Sequence, residues 1–285
     1  MTIFPDKSRL LLTLGITVML TACVTTQDFS HIPKEAGTQA ALQKYLTEKS
    51  SKAFAVAESG TFSYSENGEN TATAIYGALL NCEKAANARC TIAAIDNNST
   101  LPLLKAQQSE NQKLIAGMQL KHPDALMPQD NWFKPAADTV RTPSAGLHYA
   151  TPTTIKGVKT INTPELVRRM KEGSITLLDT LGFSRMNATL PGAYLLNGGD
   201  FANSDIEKNK AFEARLEKVM TRYFPDKSQA LVAFCVSAEC WLSVNALIHL
   251  RNIGYTNLYW YRTGITDWAY QALPFTNSYQ FIAVE

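Results

Sequence analysis

Apolar and polar positions along the chain change character near its middle. In the first half, Ala53-Phe54-Ala55-Val56-Ala57 and Thr61-Phe62-Ser63-Tyr64-Ser65 flank Glu58-Ser59-Gly60, two short strand-like runs around a tight-turn signal. From Thr71 to Ala88 the residues Ala74, Ile75, Ala78, Leu79 and Cys82 recur at helical spacing, and Cys90 to Ile95 reads as a strand. These elements predict a small α+β module over residues 51–120, closed by a helix from Leu101 to Leu120. The polar stretch 23–50 is expected to be a tether with a short helix around Thr38 to Thr47. Between 121 and 154, Pro123, Pro128, Pro135, Pro143 and Pro152 accompany few apolar repeats, which predicts a linker or an extended wrap over a domain surface.

Beyond Thr153 strands and helices alternate. Thr163 is expected to cap a helix that has Pro164 at its first position. Ile175 to Asp179 reads as a buried strand ending in an acid, and Leu190 to Leu196 as a turn feeding a second strand. An amphipathic helix over Ile206 to Tyr223 leads to a strand from Gln229 to Phe234. Then follow a helix from Trp241 to Asn252 with Gly254 closing it, a strand from Asn257 to Tyr261 and a short helix from Ile265 to Gln271. This order predicts an α/β domain over residues 155–285, with a mostly parallel sheet flanked by helices. Ligands of such folds gather at the carboxyl ends of the strands, and Cys235 stands at one.

A thiol at a strand-to-helix turn meets backbone N–H groups and the positive end of the helix dipole, which favour the nucleophilic thiolate. Cys240 closes the same loop through Val236, Ser237, Ala238 and Glu239, and Trp241 is read as a wall of the pocket. Composition adds limits. The 285 residues are 45% hydrophobic with a net charge of +2 and no long run of one sign, so nothing points to nucleic acid. The four His are scattered, so no metal site is expected, and no cofactor is implied.

At the amino end, Lys7 and Arg9 precede the apolar stretch Leu10 to Leu20, too short to span a bilayer, which needs about 20 residues. Leu20-Thr21-Ala22-Cys23 resembles a bacterial lipobox. That resemblance implies an export signal over 1–22, lipidation of Cys23 and a lipid bilayer as partner. With Val24 next, it implies the outer membrane, facing the periplasm, over the inner. Four cysteines remain, Cys82 with Cys90 and Cys235 with Cys240, and an oxidising compartment allows either pair to be a disulfide. The first pair sits in a stretch that resembles a small exported module of the form A-x-x-x-A-L-x-x-C-(x7)-C-x-x-x-A-x-D, here Ala74 to Asp96. A Cys82–Cys90 disulfide would tie its helix end to its strand start, at roughly 2–4 kcal/mol.

Four pieces of residues 155–275 occur in an order that resembles the rhodanese-like domains. They are the strand Leu177-Leu178-Asp179, the turn Leu190-Pro191-Gly192-Ala193, the strand and cysteine Leu231 to Cys235, and Gly254-Tyr255 onward to Gly264-Ile265 and Trp268. The resemblance implies a sulfurtransferase in which Cys235 takes sulfane sulfur from a donor as a persulfide and passes it to a thiol acceptor. The six residues from Cys235 to Cys240 match the length of sulfurtransferase loops, and their N–H groups would form an anion nest. Asp179 would fix loop geometry.

Three departures bear on this. Leu181 stands where many members carry Arg, with Arg185 either replacing it or a surface charge. Glu239 occupies a loop that carries a cation in thiosulfate-using members, which points to a thiol-bound or protein-bound persulfide as donor. Cys240 is either a small packed residue or a resolving thiol. The aromatic cluster Tyr255, Tyr259, Trp260, Tyr261 and Trp268 is read as core and rim, and His148 and His249 as structural. Besides persulfide transfer, a thiol–disulfide redox pair of Cys235 with Cys240 and a non-catalytic binding module both stay open.

Overall fold

The computed structural model describes residues 28–66, 68–125 and 136–285. The export signal 1–22 and Cys23 therefore lie outside the described residues, as do Pro128 and Pro135 of the proline-rich stretch.

In the amino-terminal part, α1 (Ala36–Thr47) precedes the hairpin β1 (Ala53–Ala57) and β2 (Phe62–Ser65). Then come α2 (Thr71–Ala86), β3 (Cys90–Ile95), the short β4 (Asn98–Ser99) and α3 (Leu101–Gly117). The strands form an antiparallel sheet in the order β2-β1-β3-β4. Alternation along β1 sends Phe54 and Val56 to one face, with Leu42 and Tyr45 of α1, and Ala53, Ala55 and Ala57 to the other, with α2.

The stretch read as a tether is thus packed from Ile32 onward. The Tyr45 hydroxyl donates to the Asp96 carbonyl at 2.6 Å. Lys52, 1% exposed, places its ammonium on the carbonyls of Tyr45, Leu46 and Glu48. Lys52 thus takes up carbonyls at the end of α1, beside the Thr47 hydroxyl, which donates to the Lys44 carbonyl at 2.7 Å.

The second part contains β5 (Lys159–Thr160), α4 (Thr163–Lys171), β6 (Thr176–Asp179), β7 (Tyr194–Asn197), α5 (Ile206–Tyr223) and β8 (Leu231–Phe234). It continues with α6 (Trp241–Asn252), β9 (Leu258–Tyr261), α7 (Gly264–Tyr270) and β10 (Phe281–Ala283). Its six strands, in the order β10-β7-β6-β8-β9-β5, are parallel at every pairing. The fold is α/β, with both faces of this sheet covered. Leu178, Leu231, Ala233 and Trp260 pack with α5 and α6, and Leu177, Val232, Phe234 and Tyr261 pack with α4 and α7. Near-continuous apolar strands are what burial on both faces requires.

The two parts share a core. α2 packs against β10 and Phe183, so Ala74, Ile75 and Leu79 join Leu195, Phe281 and Ala283 in one cluster. Glu83 on α2 accepts from the Tyr223 hydroxyl at 2.7 Å and lies 3.5 Å from Arg222 on α5.

One cap differs from expectation. Asn162, not Thr163, caps α4 by accepting from the Glu165 N–H, which leaves Thr163 at the first helical position. Thr163 is turned inward, donating to Asp267 and bonded to the Tyr261 hydroxyl at 2.7 Å. Both residues are good caps, and burial of Thr163 among polar partners decides between them.

Candidate functional site

Parallel pairing of β6, β8 and β9 aligns their carboxyl ends, with Asp179 opposite Phe234 and Phe234 opposite Tyr261. Cys235 follows β8 at this edge. Its carbonyl accepts from the Ile265 N–H at 3.1 Å, and the Val236 carbonyl accepts from the Thr266 N–H at 2.9 Å. The loop then curls in a turn, the Cys240 N–H donating to the Ser237 carbonyl at 3.2 Å, and α6 begins at Trp241. This brings Cys240 to disulfide distance from Cys235, with the α-carbons 6.0 Å apart. Both cysteines are buried. Cys82 and Cys90 stand at disulfide distance too, at the end of α2 and the start of β3.

Two features differ from the sequence reading. Two of the loop amides expected to form an anion nest are used internally, because the Glu239 N–H meets the Ser237 hydroxyl and the Cys240 N–H the Ser237 carbonyl. Trp241 is also more than a pocket wall. It is 6% exposed, donates its indole N–H to the Ala150 carbonyl at 3.3 Å and lies under the Arg141 guanidinium.

Asp179 is fully buried at the end of β6. It accepts from the Leu181 N–H at 3.0 Å and the Thr189 hydroxyl at 2.6 Å. Burial pushes its carboxyl up to about 6, against those two hydrogen bonds and the charge of Arg185. Arg185 is half-buried, with its Nε shut off from solvent and without a hydrogen-bond partner among the described residues, so it is not a simple surface charge. Within the loop Val236 and Glu239 are exposed. The aromatic cluster is entirely core, Tyr255, Tyr259, Trp260, Tyr261 and Trp268 all being buried.

His249 lies eight residues beyond Trp241, about 12 Å along α6. Buried there, its ring meets Glu213 at 2.8 Å and the Phe201 carbonyl at 2.6 Å. His148 is exposed, and its backbone bridges to Cys240.

Arg262 escaped the sequence reading. It follows β9 as Cys235 follows β8, so the fold sets a buried cation beside a loop that has none of its own. Its guanidinium donates to the Pro152 carbonyl at 2.9 Å and to the Thr151 hydroxyl at 3.2 Å. The signal was its position directly after a strand of the parallel sheet.

The wrap is the other element of the site. Residues 147–151 run along the loop, the Tyr149 N–H donating to the Glu239 carbonyl at 2.8 Å and the Trp241 N–H to the Leu147 carbonyl at 2.9 Å. The Thr151 N–H and hydroxyl both meet the Ala238 carbonyl.

A doubly covered parallel sheet with a cysteine loop between its central strand and the following helix defines the class. Residues 162–271 match the family model of the rhodanese-like domain, and this part of the chain is a rhodanese-like domain. Among solved structures it is similar to a thiosulfate sulfurtransferase from Pseudomonas aeruginosa, at 14% identity over 46% of this chain and 22% of that one, with a TM-score of 0.34. It is also similar to an uncharacterized protein from Saccharomyces cerevisiae, at 18% identity over 40% of this chain and 92% of that one, with a TM-score of 0.29. The match thus spans about a fifth of the Pseudomonas protein, and likeness at this level does not bear on chemistry. No curated protein matches the chain.

Proposed function

We propose that the chain is an exported lipoprotein, anchored through Cys23 in the outer membrane and facing the periplasm. In this reading its rhodanese-like domain carries sulfane sulfur as a persulfide on Cys235. The observation that supports it is the position of Cys235 at the carboxyl end of a central strand, in the family's loop, with a second sulfur at disulfide distance. The Cys235 thiolate attacks the outer sulfur of a donor persulfide, forming Cys235–S–SH and releasing the donor thiolate. A thiol acceptor can take that sulfur by the same exchange. Alternatively, the Cys240 thiolate attacks the Cys235 sulfur, forming the Cys235–Cys240 disulfide and releasing hydrosulfide. A dithiol reductant then restores both thiols and is itself oxidised to a disulfide.

A second reading, thiol–disulfide exchange without sulfane sulfur, is favoured by the proximity of Cys240 and by the exposed Glu239, which repels small dianionic donors. Intact mass of the protein isolated without reductant separates the two. Gain of one sulfur atom, lost in Cys235→Ser, supports persulfide transfer. Loss of two hydrogens that requires both Cys235 and Cys240, with Cys82–Cys90 unchanged, supports the redox pair. If neither appears and thiol reagents leave Cys235 untouched after mild reduction, both readings fail.

A further inference from the structure

The wrap has the form of a bound peptide. It is anchored at both ends by buried side chains and held in the middle almost wholly through its backbone. At one end Asn245 of α6 accepts from the Arg141 N–H at 2.8 Å and donates to the Arg141 carbonyl at 2.9 Å. At the other, Arg262 grips Thr151 and Pro152. Between these anchors Pro143 to Gly146, His148 and Tyr149 are exposed. The middle meets the cysteine loop through the Tyr149 N–H on Glu239 O, the Leu147 carbonyl on Trp241 N–H and the Ala150 carbonyl on the Trp241 indole.

One of these bonds satisfies a helix end. Cys240 is the N-cap of α6, and its side chain caps nothing because its sulfur faces Cys235. The Leu147 carbonyl takes over an orphan N–H of the first turn. Swinging the middle of the wrap outward would leave that N–H and the Glu239 carbonyl without their partners, which is costly for any such group that water does not reach. An incoming extended backbone restores both bonds, and a small molecule does not.

Resting on the sulfur chemistry proposed above, we propose that residues 146–150 occupy, in the free protein, a docking track for an extended segment of a partner protein. That segment bears the cysteine whose sulfur reacts with Cys235. The partner is recognised through backbone pairing along Glu239 to Trp241, as in strand addition, with side chains at the positions of the exposed His148 and Tyr149 turned to solvent. Exchange of the wrap for the partner sets the partner's cysteine against the loop that carries Cys235.

The test uses the full chain carrying Cys240→Ser, so that mixed disulfides on Cys235 are trapped, after mild reduction. One probe is a peptide of the sequence 146–151 with His148→Cys, supplied as its mixed disulfide with glutathione; the other is glutathione disulfide. With the peptide, the Cys235 thiolate forms a disulfide to the peptide sulfur and releases glutathione thiolate, read by intact mass. The peptide should react faster than glutathione disulfide. Tyr149→Pro, which removes one wrap bond, should raise the peptide rate about fivefold, since the competent fraction rises with each bond lost, and leave the glutathione rate nearly unchanged. Arg141→Ala is the second variant, because that side chain holds the Ala145 and Gly146 carbonyls and stacks on Tyr149 as well as on the Trp241 ring.

Equal acceleration of both probes would make the wrap a simple cover and overturn the docking track. Unchanged rates in both folded variants would overturn it as well. If Cys235 reacts with neither probe in any of these proteins, the sulfur chemistry itself fails, and that outcome is distinct from the other two.

Discussion

Gly264 lies against the Cys235 carbonyl so closely that a β-carbon on it would overlap that oxygen. Its φ of +54° is a left-handed conformation as well. The cysteine loop has no glycine of its own, and the close approach comes from the first residue of the neighbouring helix α7. The Ile265 N–H bond to the same carbonyl locks the two together.

Gly264→Ala therefore combines backbone strain with a clash, and the expected loss is about 2–4 kcal/mol of folding stability. Urea denaturation of the variant measures it. Alkylation of Cys235 after mild reduction should also quicken, because the displaced carbonyl loosens the loop. A variant within about 0.5 kcal/mol of the parent, the range of an ordinary surface change, would show that the contact is not a constraint.

Asp179 predicts a pH dependence. Its carboxyl is held at about 6 in the folded protein against 3.8 for the free group. Across that window the folded state keeps a proton that the unfolded state has lost. Its contribution is thus fully present below the unfolded value, falls as pH rises and levels off above about 6. The drop is on the order of 3 kcal/mol. Asp179→Asn keeps the shape, can still accept from the Leu181 N–H and cannot ionise, so its stability profile should be flatter over that range. Denaturation midpoints of both proteins at a series of pH values test this, and parallel profiles would contradict it.

Much of this architecture was legible because it rests on local periodicity. Helix α5 follows directly from apolar residues at helical spacing, α6 from an apolar-rich run of helical length closed by Gly254, and β6, β8 and β9 from short apolar runs. The edge strands β5 and β10 were not legible, since two or three residues carry no periodic signal and owe their conformation to pairing with β9 and β7. At the site, Cys235 and Cys240 could be found from position and spacing, whereas Arg262 reaches the loop only through the β8–β9 register. The course of the wrap was hidden for another reason. Its bonds are made by backbone atoms, which every sequence supplies.

Lys52 tests the packed amino-terminal helix. Its ammonium is the partner of three carbonyls at the end of α1 and lies 4.8 Å from the Tyr45 ring centre. Lys52→Met preserves the buried stem and removes the donors, which should cost about 1.5–3 kcal/mol, the range for a lost charged hydrogen bond. Hydrogen exchange should localise the effect, with faster exchange in α1 and unchanged protection in α6. Uniform loss of protection would mean instead that α1 unfolds only with the whole chain.

The contact between Tyr223 and Glu83 predicts how the two parts hold together. Glu83 is buried, and burial raises its carboxyl above the ordinary range against the Tyr223, Cys90 and Arg222 groups that favour the charge. Tyr223→Phe removes the nearest donor while keeping the ring against Tyr194 and Phe224. A hydrogen bond to a charged group is worth about 1.5–3 kcal/mol, so the ionised carboxylate should lose that much and the protonated one less. The difference between parent and variant should therefore widen as pH rises through the titration of Glu83. Because the Cys90 N–H also bonds Glu83 and Cys90 faces Cys82, reducing that pair should weaken the same junction. Denaturation of parent and Tyr223→Phe, each with and without reductant, gives a double cycle. Coupling between the two changes is the expected result, and simple additivity would mean that the disulfide stabilises the module without reaching the junction.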